Sequence, residues 1–151
     1  MLSRHRIRFK DCDPLGHLYN TRFLDYMLEA REDHILEHHK IDLEKYAVEQ
    51  GLAWVVVNHE ISYIKEAKRN EFVKIKTALI HFNEKTIVNE YQMWNDDMTH
   101  LKSLMWTTFV HIDLRQKKAI AHNEEIMNQL SSMIEKINEN NIKERIKKLM
   151  L

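Results

Sequence analysis

Asp11-Cys12-Asp13-Pro14-Leu15-Gly16-His17-Leu18-Tyr19-Asn20-Thr21-Arg22-Phe23-Leu24-Asp25-Tyr26-Met27-Leu28-Glu29-Ala30-Arg31 decides the reading of the chain, because a turn runs directly into a long helix there. Pro14 sets the backbone for a bend and Gly16 tolerates a left-handed exit from it. Asn20 is placed to cap the helix. From there Phe23, Leu24, Met27, Leu28, Ala30, Arg31 and Ile35 recur at helical spacing to about His39, with Tyr26 widening the apolar face. So broad a face predicts a helix buried by a sheet wrapped round it.

Upstream, Arg4 to Lys10 alternate, with His5, Ile7 and Phe9 on one side, which predicts a first strand over 4–10. Downstream, Asp42 caps a short helix that Gly51 stops after Gln50. β-Branched and aromatic residues then alternate in four runs, about 52–65, 71–82, 86–94 and 99–113, whose short connections predict consecutive antiparallel pairing. Asn123, followed by Glu124 and Glu125, opens one more amphipathic helix through Ile126, Leu130, Met133, Ile134 and Ile137. Residues 1–137 thus read as the folded domain, and 138–151 as a polar, basic extension, helical or frayed. Trp54, Val56, Ile64, Trp94, Trp106, Val110 and Ile112 are expected on the sheet face away from the long helix, where self-association would cover them.

Composition narrows the classes of function. Twenty-three basic residues balance twenty-three acidic ones, so no global field would hold a nucleic-acid backbone. Two glycines in 151 residues, Gly16 and Gly51, exclude glycine-rich phosphate loops. The single cysteine permits no internal disulfide, as expected of a reducing compartment. No stretch approaches the roughly 18 apolar residues of a membrane span, so the chain reads as soluble and cytoplasmic, without stable membrane insertion.

Residues 11–31 resemble the signature of hotdog-fold acyl-CoA thioesterases, a D-x-D-x-x-G-H-x-N-N segment running into a helix that ends E-x-A-R. The spacing is similar to the long-chain and general acyl-CoA branch of that superfamily. The resemblance implies an α+β hotdog fold, a long central helix wrapped by a five-stranded antiparallel sheet. It also implies hydrolysis of an acyl-CoA thioester without cofactor or metal, at a site formed in a homodimer or homotetramer. The competing functions are a non-catalytic acyl-CoA or lipid-binding hotdog module and a hotdog dehydratase or hydratase. Tyr19 stands where the motif has asparagine. The tyrosine of a second family pattern fits Tyr63, but Glu66, Asn70 and Glu71 replace the residues around it.

A thioester needs a base or nucleophile near its carbon and donors aimed at the oxygen where charge develops. By its D-P-x-G setting alone Asp13 is a turn residue accepting amides of the bend; the resemblance makes it the catalytic carboxylate. General base on water and nucleophile through a mixed anhydride both stay open. Free amides around Leu18 to Thr21 at the helix start are the expected oxyanion donors. His17, Tyr19 and Asn20 complete the expected catalytic set, and Phe23 and Tyr63 the acyl-binding wall. Lys65, Lys68 and Arg69 cluster where they could hold coenzyme A phosphates. Asp11 is expected to be the structural partner of Asp13, although two carboxylates so close can raise one pKa. Cys12, flanked by both, is expected to be structural. His34, His38 and His39 are read as complementing the negative end of the helix, in preference to a metal site.

Overall fold

The computed structural model describes residues 1–151. Alternation builds a curled antiparallel sheet from β1 (Leu2–Arg6), β2 (Leu52–Tyr63), β3 (Phe72–Phe82), β4 (Thr86–Asn95), β5 (Leu101–Asp113) and the two-residue β6 (Lys118–Ala119). The helices are α1 (Asn20–His39), α2 (Leu43–Gln50), α3 (Glu124–Met133) and α4 (Ile142–Leu149). α1 lies across the concave side of the sheet, which is the hotdog arrangement. No helix is long and apolar enough to cross a membrane.

The buried positions of α1 are Phe23, Met27, Ala30, Arg31, His34 and Ile35, one stripe at three- and four-residue spacing. Phe23, Met27 and Ala30 pack on Val73, Ile75, Tyr91, Met93 and Met105 from three strands. Each large apolar side chain so buried contributes about 2 kcal/mol. A second cluster, Leu79, Ile87, Phe109, Ile126 and Leu130, joins α3 to the same side of the sheet, with Tyr46 of α2 and Trp54 of β2 at its border. The caps behave as their residue types dictate. Asp42 accepts from the Lys45 amide at 3.0 Å and Asn123 from the Ile126 amide at 2.8 Å. Gly51 ends α2 with φ +67°, a conformation costly for any side-chain-bearing residue.

Strand pairing departs from the consecutive order expected. The sheet runs β1-β3-β4-β5-β2, so β2 crosses to pair with β5 and leaves its neighbour position on β3 to β1. The reason lies in the connection from β2 to β3, which is no hairpin. Ala67 accepts from the Leu18 amide at 2.8 Å, the Arg69 amide donates to Gly16 O at 2.8 Å, and the Asn70 amide donates to Ile7 O at 2.8 Å. Its hydrogen bonds are committed to the 7–18 loop. β1 is also shorter than the alternation of Arg4 to Lys10 predicts. After Ile7 the chain folds into a 3-10 turn at Phe9–Asp11, which buries Asp11 and leaves Phe9 72% exposed.

The outer sheet face is corrected most. Trp54 sits on the helix side, stacked on Tyr46 at 5.3 Å and donating to His122 Nε2 at 3.0 Å. Val56 pairs in register with Phe109 of the inner cluster, just before a bulge at Val56/Asn58. Ile64, Trp94 and Trp106 do lie with Leu101 and Leu104 on the outer side, and α4 covers them through Ile142, Ile146 and Leu149. The tail beyond residue 138 is therefore in part a docked helix. It is pinned by Arg145, which reaches Glu90 through Nε at 2.8 Å and Nη2 at 2.9 Å, and Glu139 at 3.1 Å.

Five histidines, His5, His34, His59, His111 and His122, have their pKa lowered chiefly by burial, His34 to about 4 from 6.5. The unfolded chain then binds more protons than the folded one below the ordinary histidine pKa. Stability is full above about pH 6.5 and declines as pH falls toward 4. The expected result is a melting temperature lower by about 5 °C or more near pH 5 than near pH 7.5. A flat profile by circular dichroism would contradict the burial of these rings.

Candidate active site

Asp13 opens a tight turn. Its Oδ1 accepts from the Leu15 amide at 2.9 Å and the His17 amide at 3.0 Å, and its carbonyl accepts from the Gly16 amide at 2.9 Å. Gly16 makes this possible with φ +78°. The turn is closed by the Asp13 amide on His17 O at 2.8 Å, which leaves Oδ2 of Asp13 without a protein partner. Asp13 is half-buried and lines a cavity of about 530 Å³.

Asp13, His17, Tyr19, Asn20, Phe23, Tyr63 and Lys65 all line this cavity, together with Leu18, Thr21, Ile64 and Glu66. Phe23 and Tyr63 meet edge to face at 5.2 Å, and the Tyr63 hydroxyl donates to Asn20 O at 2.8 Å. β2 is thereby tied to the first turn of α1. Lys68 and Arg69 lie outside the cavity. Lys68 bridges His17 through the backbone, and the Arg69 guanidinium lies over Phe9 at 5.5 Å, bordering a second cleft shared with Asp13 and Gly16.

The helix start differs from expectation in two ways. Tyr19 takes the cap position without a side-chain bond, and Asn20 is the first helical residue. The cause is that the Tyr19 amide donates to Asp11 O at 3.0 Å and holds the chain extended up to that point. The amides of Leu18 and Tyr19 are therefore occupied, by Ala67 and Asp11. Arg22 donates to Tyr19 O at 2.9 Å. The first two amides of α1, those of Asn20 and Thr21, have no protein acceptor, and both residues line the cavity.

Asp11 is 5% exposed, accepts from the Tyr26 hydroxyl at 2.7 Å and pairs with Lys10 at 2.9 Å. Burial works to raise its pKa, but the bonds from Tyr26 and Lys10 outweigh it and hold the carboxyl below the usual range. The raised carboxylate that two close aspartates can produce does not arise at Asp11. Tyr26 is pushed up to about 12 by burial and then by Asp11. It also accepts from the Arg8 amide at 3.0 Å, so Tyr26 and Asp11 buttress the turn from behind. Cys12 donates its thiol to Arg8 O at 3.3 Å, and burial with its two acidic neighbours raises its pKa. A thiol so placed is a poor nucleophile.

His34 is fully buried. Its Nδ1 lies 2.6 Å from Thr77 Oγ1 and its Nε2 2.7 Å from Ser3 Oγ. With its pKa near 4 it does not complement the helix end as a cation, so that reading is corrected for His34, while His38 and His39 stand in the last turn of α1. Periodicity missed Lys102, 7% exposed in β5, which donates to Glu66 O at 2.8 Å and pairs with Glu71 at 2.8 Å. It braces the segment that carries Lys65 and Glu66. The only available signal was a lysine next to the apolar residues that open the strand.

The family model of the thioesterase-like superfamily matches residues 7–130. The long-chain acyl-CoA thioesterase FadM of Escherichia coli is 27% identical over 134 residues, covering 89% of this chain and 99% of that protein. The acyl-CoA thioesterase YbgC of Haemophilus influenzae is 26% identical over 121 residues, 80% of this chain and 87% of its own. Among solved structures, YbaW Probable Thioesterase from Escherichia coli superposes with a TM-score of 0.76 at 28% identity, covering 89% of this chain and 99% of that one.

Proposed function

This chain belongs to the thioesterase-like superfamily, and from that premise we propose that it hydrolyses acyl-CoA thioesters at the cavity below Asp13. The observation that carries the reading is the meeting of two unspent groups on one cavity, the Oδ2 of Asp13 and the amides of Asn20 and Thr21. A thioester carbonyl seated there has donors for its oxygen and a carboxylate for its carbon. Each such donor is worth on the order of a hundredfold in rate.

In the general-base form, Asp13 takes a proton from water as the water oxygen bonds to the carbonyl carbon. The amides of Asn20 and Thr21 hold the oxyanion, the carbon–sulfur bond breaks, and the proton passes to the departing thiolate. In the nucleophilic form, Oδ2 bonds to the carbon itself, coenzyme A leaves, and water cleaves the mixed anhydride. Products are the free acid and coenzyme A in both. Lys65 is the cation at the cavity rim suited to a coenzyme A phosphate. Lys68 and Arg69, on the far side of the turn, are suited only to the more distant end of the nucleotide. Screening purified protein against acyl-CoAs of graded length with a thiol-detecting reagent tests the activity. Release of thiol above the uncatalysed rate for at least one length supports it, and none at any length contradicts it.

Tyr19 is 46% exposed at the cavity, where the motif it resembles has a small asparagine. Side chains in the first turns of a helix lean toward its N-terminus, so Tyr19 and Phe23 bound the space next to Asp13. Tyr19→Asn is expected to shift the ratio of kcat/KM values toward longer chains. A profile across chain lengths that keeps its shape would refute the pocket role.

The protein is further proposed to act as a homo-oligomer. β2 pairs only with β5, and its other edge carries Val55, Val56 and Val57, exposed by 37%, 43% and 57%. An apolar free edge of this kind is a template for a second strand. Light scattering should give at least twice the 18.3 kDa chain mass at micromolar concentration. A stable monomer would contradict the assignment.

A further inference from the structure

We propose that the cavity between α1, α2 and α3 is a second ligand site, one that takes a small monocarboxylate with its carboxylate on Arg31 and its apolar tail against Ile35, Tyr46, Trp54, Leu79 and Leu130. The cavity has a volume of about 70 Å³ and is lined by ten apolar residues, with Arg31, Asn89 and Gln129 its only polar ones. Arg31 is 9% exposed, and its Nε has no hydrogen-bond partner. None of the ion pairs of the chain includes it. The Phe109 ring lies 4.3 Å below the guanidinium, and Tyr91 and Glu32 favour its charge only through space, without a hydrogen bond to it.

A buried guanidinium without an anion is expensive, since the desolvation of a charge is several kcal/mol on the order-of-magnitude scale and a ring face returns only about 2. Burial correspondingly pushes the Arg31 pKa down from its ordinary value. The other buried cation, Lys102, has Glu71, and the half-buried Arg145 has Glu90. Arg31 opens instead onto a void whose other walls are ten apolar side chains with the neutral Asn89 and Gln129. A fork of donors facing hydrocarbon walls is complementary to a carboxylate bearing an alkyl chain.

This site is separate from the catalytic cavity. The two linings share no residue. Met27, Ala30 and Tyr91, completely buried, line neither cavity. Eleven residues of α1 separate Asn20 from Arg31, about 16 Å along the axis. The volume suits a short chain, with room for on the order of five waters. α2, which contributes Leu43 and Tyr46 to the wall and has no fully buried residue, is the element that can yield to a longer one. Only the origin of the ligand rests on the proposed hydrolysis, whose free-acid product has this chemistry.

Trp54 lines the cavity while Trp94 and Trp106 lie under α4, so tryptophan emission reports its occupancy. Titration with hexanoate should change the emission saturably, and hexanol should bind at least about tenfold more weakly. Arg31→Met should abolish the preference for the acid, and Asp13→Asn should retain it. Because the lone charge is gone, Arg31→Met should also melt higher than the parent without ligand, which a purely structural arginine would not allow. Equal responses to hexanoate and hexanol in the unsubstituted protein, or acid preference surviving Arg31→Met, would overturn the proposal. Absence of thioesterase activity with Arg31-dependent hexanoate binding would leave this site standing and remove only the catalytic reading.

Discussion

Asp13→Asn is expected to lower kcat/KM for acyl-CoA hydrolysis by about a thousandfold while the melting temperature stays within about 3 °C of the parent. The substitution separates the two duties of the side chain. Asparagine keeps an oxygen that accepts from the Leu15 and His17 amides, so the turn before α1 survives. What it loses is the charge on the oxygen that has no protein partner, and an amide is neither a base nor a nucleophile at neutral pH. The Asn20 and Thr21 amides remain, so a residue of catalysis above the uncatalysed rate is expected. Steady-state kinetics alongside circular dichroism measures both quantities. Activity within tenfold of the parent would show that the turn, and not the charge, is what Asp13 supplies.

The largest effect on stability is expected at Arg145. Glu90 is 2% exposed on the outer sheet face and accepts from Arg145 twice and from Trp106 Nε1 at 2.9 Å, while the Gln92 amide donates to its Oε1 at 2.6 Å. Arg145→Ala leaves that carboxylate buried without its cation, at a cost of about 3 to 5 kcal/mol. For a domain of this length each kcal/mol lowers the melting temperature by roughly 3 °C, so a fall of about 10 °C is expected. α4 should undock with it, since apart from this pair α4 is held over Trp94 and Trp106 by the apolar side chains of Ile142, Ile146 and Leu149. Glu90→Gln combined with Arg145→Met removes both charges and should recover most of the loss. If Arg145→Ala melts within about 1 °C of the parent, α4 is not anchored by this pair.

The site was legible in the sequence because its chemistry is local. Residues 11–31 carry the turn, the carboxylate and the helix start in one stretch, and seven of the nine expected site residues meet at one cavity. Which amides remain free was not legible. That depends on Ala67 and Asp11 carbonyls reaching Leu18 and Tyr19, one of them from 49 residues away. The strands were legible from alternation, since their bounds need only local pattern, but the pairing of β2 with β5 is decided by a connection whose hydrogen bonds go to the 7–18 loop. Hydropathy also misread Trp54, Trp94 and Trp106 as a single uncovered surface. The bulge-bearing β2 turns Trp54 inward to Tyr46 and His122, and the polar-looking tail folds Ile142, Ile146 and Leu149 onto the other two. Arg31 and His34 belong to the same class of miss. Both sit on the apolar stripe of α1, and only the opposing strands reveal that His34 meets Thr77 while Arg31 meets no anion.

The central claim, hydrolysis of acyl-CoA by water at Asp13, is tested most directly by product analysis in water enriched in heavy oxygen. The expected result is one thiol and one free acid for each thioester consumed, the acid carrying heavy oxygen over many turnovers, with neither product formed by Asp13→Asn above the residual rate. In a single turnover, label entering the Asp13 carboxylate would identify an anhydride cleaved at its aspartyl carbon, whereas label entering the acid is the outcome both of the general-base route and of an anhydride cleaved at its acyl carbon. Acyl-CoA that binds at the cavity but is recovered intact, with no thiol released, would contradict the claim.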